Sequence, residues 1–297
     1  MTGVAVGAQS VTARIGTVTK SGTVEVVPSG TIAAYYGGSY YVAGDSTGIQ
    51  TLNLDGSNRQ WLVRVGGSSE SYTAPVWGPG GTIIYPGPQS TTVNTSRLFT
   101  VKPGTAPALL NQSAASNGMT EGWQQYNAAT GRTFYSAHAA GATWALYWRL
   151  ADGTISQISP EPAGTITWRP SPSPDGTKYA YVTTVNYSPV IKVYDLTTGT
   201  MSGWSVPGQL PTWSPKGDQI AFIPSGGGHI YLMNTDGSNS HLLSSGYYQE
   251  MPFSWSSDGN WIIAKSNTSN AMDVINTSTG AVVHLNYLQS YYYPAWK

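Results

Sequence analysis

Tryptophan recurs in this chain at a nearly fixed period, and that recurrence restricts the fold more than any other feature. Trp77, Trp123, Trp168, Trp213, Trp255 and Trp296 stand 46, 45, 45, 42 and 41 residues apart. Trp77 opens Trp-Gly-Pro-Gly-Gly, Trp213 opens Trp-Ser-Pro-Lys-Gly-Asp, and Trp255 opens Trp-Ser-Ser-Asp-Gly-Asn. Trp168 precedes Pro-Ser-Pro-Asp-Gly by a short insert, and Trp123 begins a looser copy ending in Thr130-Gly131. Self-similarity at about 40–45 residues is the mark of a repeat architecture, in which each unit buries its apolar face only against its neighbours.

Within a unit the pattern is one of short strands. Gln219–Ile223 and Lys178–Val182 follow the tryptophan turn, and a Gly/Ser/Asn loop leads to a third run such as Ile230–Met233 or Ile191–Tyr194. Asp55-Gly56, Asp152-Gly153, Asp236-Gly237, Thr198-Gly199 and Thr279-Gly280 then mark a tight turn into a fourth run. Such dipeptides supply the positive φ that two-residue hairpin turns require. No segment sustains a 3.6-residue period. Four antiparallel strands per unit, repeated radially, predict an all-β propeller.

The openings Trp-Ser-Pro-Asp-Gly and the run Ile-Tyr-Leu-Met-Asn-Thr-Asp-Gly-Ser (residues 230–238) make the chain resemble the TolB-type, WD40-like β-propeller repeat family. The best copies span 165–204, 211–245 and 253–286, and those before residue 150 are weaker. The expected fold is one seven-bladed propeller over 1–297. Tyr35 would stand for the first tryptophan, followed by 40–43, 49–54 and 60–63. Trp296 would be the inner strand of a last blade completed by residues 4–7, 11–18 and 23–27, with Ser21-Gly22 as its last turn. Residues 1–29 and 294–297 together would thus close the ring and remove an open sheet edge. The alternative is six blades with residues 1–33 as an N-terminal appendage.

Composition narrows function mainly by exclusion. Net charge is zero and only 9% of residues are charged, so no basic stripe offers itself to nucleic acid. No apolar run approaches the roughly 18 residues of a membrane span, so membrane insertion is not expected. The opening residues Met1–Val6 lack the basic and apolar regions of a signal peptide. There is no cysteine, and His138, His229, His241 and His284 are scattered, so neither a metal nor another cofactor is expected. The abundance of Gly, Ser, Thr and Tyr with little charge suggests an extracellular or virion-surface protein. The tryptophans are expected between blades, with indole N–H groups on loop carbonyls. The turn aspartates are expected to form Asx turns, and Asp195 and Asp273 to be exposed strand charges.

The resemblance implies a ligand face around the channel mouth, built from the loops joining fourth strands to the next inner strands and second strands to third. On those loops lie Tyr72, Glu121, Glu161, Tyr187, His229, Tyr247, Tyr248, Glu250, Tyr291 and Tyr292, together with Glu70, His138, Tyr287 and Tyr293. Aromatic rings with a few carboxylates suit sugar recognition. The expected function is a non-catalytic module binding a glycan or cell-surface ligand. Alternatives are a scaffold for protein assembly and a polysaccharide-acting glycosidase or lyase drawing on Glu121, Glu161 and Glu250. No G-x-S-x-G or P-loop is present.

Overall fold

A short alternating run cannot satisfy its own backbone groups, so each pairs with the next across a tight turn. The computed structural model describes residues 7–15, 18–37, 47–65, 74–88, 96–111, 118–158, 160–162 and 165–297. Among them, six four-stranded antiparallel blades are present, not seven. Blade I consists of Tyr291–Trp296, Thr31–Tyr36, Thr47–Asn53 and Gln60–Val65 from the channel outward. Blade II is Val76–Trp77, Ile83–Pro88, Ser96–Val101 and Ala108–Leu109. Blade III is Met119–Asn127, Arg132–Ala139, Ala145–Arg149 and Ile155–Gln157. Blade IV is Thr167–Pro172, Lys178–Val185, Ser188–Asp195 and Thr200–Met201, and Val206–Pro207 also pairs with its third strand. Blade V is Gln209–Trp213, Gln219–Ile223, Tyr231–Asn234 and His241–Leu242. Blade VI is Ser254–Trp255, Trp261–Lys265, Met272–Asn276 and Val282–Leu285.

The seven-blade expectation fails in blade I. Tyr35 lies on a second strand, not an inner one, since Tyr292 pairs with Tyr35 and Trp296 with Ile32. The connection from second to third strand spans residues 37–46 there, against 266–271 in blade VI. That longer loop sets Tyr35 back to the spacing of an inner strand, while 40–43 fall outside the described residues. Residues 7–15 and 18–26 supply no blade. They pair with each other from Gly7↔Val26 to Ile15↔Val18, which leaves Ser21-Gly22 inside a strand, and among the described residues they join no other sheet. The two ends still close the ring, but the N-terminal contribution is Thr31–Tyr36.

The repeated turns are built alike. In blades IV, V and VI, Ser173, Ser214 and Ser256 donate backbone N–H to Lys178, Gln219 and Trp261 at 2.8–2.9 Å. Gly176, Gly217 and Gly259 sit at φ 70°, 79° and 67°, a region open to glycine at no steric cost. Asp175 and Asp258 accept the Thr177 and Asn260 amides at 3.0 Å. At the third-to-fourth turns, Asp55 and Asp236 accept from Ser57 and Ser238, amide and hydroxyl alike. These bonds hold the Asp55 and Asp236 carboxyls below the usual carboxylate range. Asp195 belongs to this class, not to the exposed strand charges, since it accepts from the Thr197 amide and hydroxyl at 2.8 and 2.5 Å.

The core is divided into six apolar clusters, one at each seam between adjacent blades. Trp77, Trp213, Trp255 and Trp296 work at these seams, whereas Trp123 lines the channel and the Trp213 indole N–H has no hydrogen-bond partner among the described residues. The Trp77 indole N–H donates to the Ala295 carbonyl at 2.9 Å, and Trp255 to Thr212 at 3.1 Å, each reaching the inner strand of the preceding blade. The Trp213 and Trp296 amides donate to the hydroxyls of Ser171 and Ser254 across two further seams. Replacing Trp296, 7% exposed in the cluster between blades VI and I, with alanine should cost about 3–5 kcal/mol. Tyr187→Ala should fall within about 0.5 kcal/mol, because that side chain is fully exposed. Denaturant titration of both variants checks the contrast.

Candidate functional site

Each inner strand is an edge facing the channel, so a residue without an N–H is tolerated there. The chain uses this five times. Pro75, Pro170, Pro211, Pro252 and Pro294 occur on five of the six inner segments, and Gln124 stands on the sixth. The residues before Pro170, Pro211 and Pro294 have positive φ (Arg169 57°, Leu210 56°, Tyr293 52°), as does Trp123 before Gln124 (49°). The pairing with the second strand shifts register at each of these places. They are β-bulges, and a bulge re-aims the side chains beside it.

The prolines and bulges girdle a central cavity of about 400 Å³. Aromatic walls come from Trp77, Tyr126, Trp213, Trp255 and Trp296. The lining continues onto Ala128, Pro174, Pro215 and Ser257 in the first-to-second turns, so the cavity reaches that face of the ring. Among the described lining residues Arg169 is the one charged group. Its Nη1 donates to Gln209 Oε1 at 2.9 Å, and its guanidinium lies 5.7 Å from the Trp123 ring centre. Its buried Nε has no hydrogen-bond partner among the described residues. Burial draws the guanidinium down to about 10, and the Glu250 carboxylate holds it up, so it is charged at neutral pH. Gln124 donates Nε2 to the carbonyls of Ala74 and Ile84, tying blade III to blade II.

Of the loop candidates, Tyr293 lines the cavity and the other described ones take other places. Tyr72 lies outside the described residues, as does Glu70, and none of the nine described candidates in the set from Glu121 to Tyr292 lines the cavity. Glu121 is fully buried between blades II and III, where it faces Arg97 at 3.2 Å and accepts from the Leu98 amide and the Asn111 side chain at 2.9 and 2.6 Å. Burial pushes its carboxyl up against the pull of those three partners. Glu161 accepts from Tyr181 and Lys192 at 2.8 and 2.9 Å. Tyr248 is 1% exposed, and burial pushes its phenol up to about 12. Tyr291 is buried with its hydroxyl on Gln50 Oε1 at 2.6 Å. Tyr292 half-covers the Lys265 ammonium at 4.1 Å.

Two of the loop candidates are in contact with each other. Tyr247 is 46% exposed and meets the His229 ring edge-on at 5.4 Å, while His229 Nδ1 is bonded to the Gly246 carbonyl at 2.8 Å. Tyr187 forms the tip of a blade IV hairpin, at φ 62° beside Asn186 at 50°. Glu250, an exposed loop residue, acts on the channel through Arg169. The glutamates considered for glycosidase chemistry are thus divided, Glu121 and Glu161 being held in separate ion pairs. Asp273, expected as an exposed charge, is instead 2% exposed and bonded to His284 Nδ1 at 2.8 Å. Its strand lies third in blade VI with apolar neighbours on both sides, which hides the carboxyl. Among the described residues no group of three or more His, Asp and Glu is placed to hold a metal ion.

A family model described as the TolB beta propeller domain matches residues 132–297. An uncharacterized peptidase of Bacillus subtilis (strain 168), YuxL, is 34% identical over 106 residues, which is 32% of this chain and 16% of that protein. Among solved structures, TolB from Acinetobacter baumannii superposes with a TM-score of 0.67 at 17% identity, covering 90% of this chain and 66% of TolB. A chain of a nidogen/laminin complex superposes with a TM-score of 0.62 at 9% identity, covering 91% and 98%. The chain therefore spans less than two thirds of the peptidase and of TolB, and the structural likeness is one of fold.

Two substitutions test the electrostatics described above. Glu121→Ala leaves Arg97 buried without its carboxylate and should cost about 3–5 kcal/mol, measured by denaturant titration. Lys265 is 1% exposed, donates to the carbonyls of Asn270 and Gln289, and is drawn down to about 8 by burial. The unfolded chain keeps that proton to about pH 10.5, so it binds more protons than the folded chain above pH 8. Stability linked to Lys265 therefore rises with pH across this window and is lost on descending through 8. The melting temperature of wild type relative to Lys265→Met should increase from pH 8 to 10.

Proposed function

Because this chain belongs to the TolB beta propeller domain family, we propose that it is a non-catalytic protein-recognition module whose channel receives an extended peptide segment carrying one carboxylate. The observation that carries this is a channel walled by prolines and indoles with a single guanidinium in it. Proline rings offer no N–H, and one guanidinium among the described lining residues is too little positive charge for a polyanion. One cation, with one donor unpaired among the described residues, matches one anionic group. An extended chain rises about 3.3 Å per residue, so the cavity suits a few residues. The likeness to a chain of the nidogen/laminin complex agrees with a protein partner, though only at the level of fold. A location outside the cytoplasm fits a cysteine-free chain with 9% charged residues, and a virion surface has no support among these relatives.

Immobilised short peptides rich in proline and aromatic residues, with free or amidated C-termini, provide the test. Free carboxylates should bind, amidation should weaken them, and Arg169→Met should weaken binding by roughly tenfold or more, the loss of a charge-assisted bond. Binding unchanged in Arg169→Met, or absent throughout, would overturn the reading.

The glycan reading retains one supporting observation: Tyr187 and Tyr247 present exposed rings on the opposite loop face. A glycan array with Tyr187→Ala/Tyr247→Ala separates the two. Sugar binding lost in that variant and kept in Arg169→Met would favour the glycan.

A further inference from the structure

The seam between blades II and III differs from the other five. Among the described residues its apolar cluster holds Leu98, Tyr135 and Ala137 as its buried members, fewer than any other seam. The buried ion pair of Arg97 and Glu121 occupies part of it. Where blades I, II, V and VI end their inner strands with Trp296, Trp77, Trp213 and Trp255, the same register position holds Tyr126 in blade III and Pro172 in blade IV. The tryptophan of one blade reaches toward the preceding blade, so the smaller residue leaves space on the blade II side. A cleft of about 840 Å³ lies there, bounded by blade II on one wall and blade III on the other.

We propose that this cleft is a second binding site, separate from the channel, for a small amphipathic organic anion such as an aliphatic or aromatic monocarboxylate. The volume falls within the roughly 300–1,000 Å³ of small-molecule pockets. Ile84 and Leu109 on one wall and Ile155 on the other give an apolar interior. Tyr126 and Thr133 add hydroxyls. Arg149 also lines the cleft. One of its nitrogens donates to the Leu150 carbonyl at 2.9 Å, and its charge also acts on the Asp152 carboxylate in the same lining. An apolar body would displace water from the interior while its carboxylate met the guanidinium, in competition with Asp152. Tyr126 touches both cavities, so the test must distinguish them.

The probe is 1-anilinonaphthalene-8-sulfonate, followed by fluorescence on the whole chain, with decanoate, decanol and 2-naphthoate as competitors. Saturable binding is expected, displaced by decanoate far better than by decanol. The ratio of decanoate to 2-naphthoate potency tells aliphatic from aromatic occupants. Tyr126→Trp, which restores the residue carried by four other blades, should fill the cleft and abolish saturable binding. Arg149→Met, at a half-buried rim position, should weaken binding by roughly tenfold and decides the matter if Tyr126→Trp fails to fold. Arg169→Met in the channel should leave binding unchanged. No saturable binding, equal displacement by decanol, an unaffected Arg149→Met, or a loss in Arg169→Met would each overturn the proposal.

Discussion

The ring depends on one strand pairing, that of Tyr291–Trp296 with Thr31–Tyr36. Every other blade takes its four strands in sequence from one stretch of chain. Without this pairing, Thr31–Tyr36 would present an open row of N–H and C=O groups, and blades I and VI would lose the cluster between them. With it, all six inner strands surround one axis and all six seams face a neighbour. The channel exists because the ring is closed, and the positions of Arg169 and the prolines follow from that closure. Lys265 and Tyr292 lie beside the same pairing, so a buried ammonium is part of what holds the closing strand.

The seams are not equivalent. Most are apolar and carry an indole from one blade against the next. The seam between blades II and III is partly polar, with Arg97, Asn111 and Glu121 buried together. Such a network imposes a definite arrangement on its members at the cost of desolvating them. It also leaves less apolar surface to press the two blades together.

The repeat made the fold class legible before any coordinates, because tight-turn chemistry and period-2 runs admit few other structures. The blade number was not legible. Asn53–Ser57 matches Asn234–Ser238 in four of five residues and in hydrogen bonds, which does fix the third and fourth strands of blade I. The longer loop before Thr47 hid that Thr31–Tyr36 was the second strand. The candidate site was legible only in part. Glu250 and the exposed Tyr187 and Tyr247 were named from their loops, but Tyr248, Tyr291 and Glu121 turned inward, because a loop position does not say which way a side chain faces. Arg169 was passed over as a residue within a repeat. The signal that would have found it is Xaa-Pro shortly before the inner-strand terminus in five of the six blades, as in Ala74-Pro75, Arg169-Pro170, Leu210-Pro211, Met251-Pro252 and Tyr293-Pro294.

Blade I is assembled from segments at opposite ends of the sequence, and this bears on the order in which the molecule can form. The Tyr291 hydroxyl meets a residue 241 positions away, and the Trp77 indole one 218 positions away. Contacts of such separation form late, since the entropy of closing the intervening loop must be overcome first. Blades II to VI consist of local hairpins that can zip as they leave the ribosome. Thr31–Tyr36, made early, must wait with an unpaired edge until Tyr291–Trp296 has been synthesised. During that interval the nascent chain is an open arc, exposed to strand exchange with its neighbours. The step that closes the ring is therefore the pairing of the six-residue strand Tyr291–Trp296 with a segment made long before it.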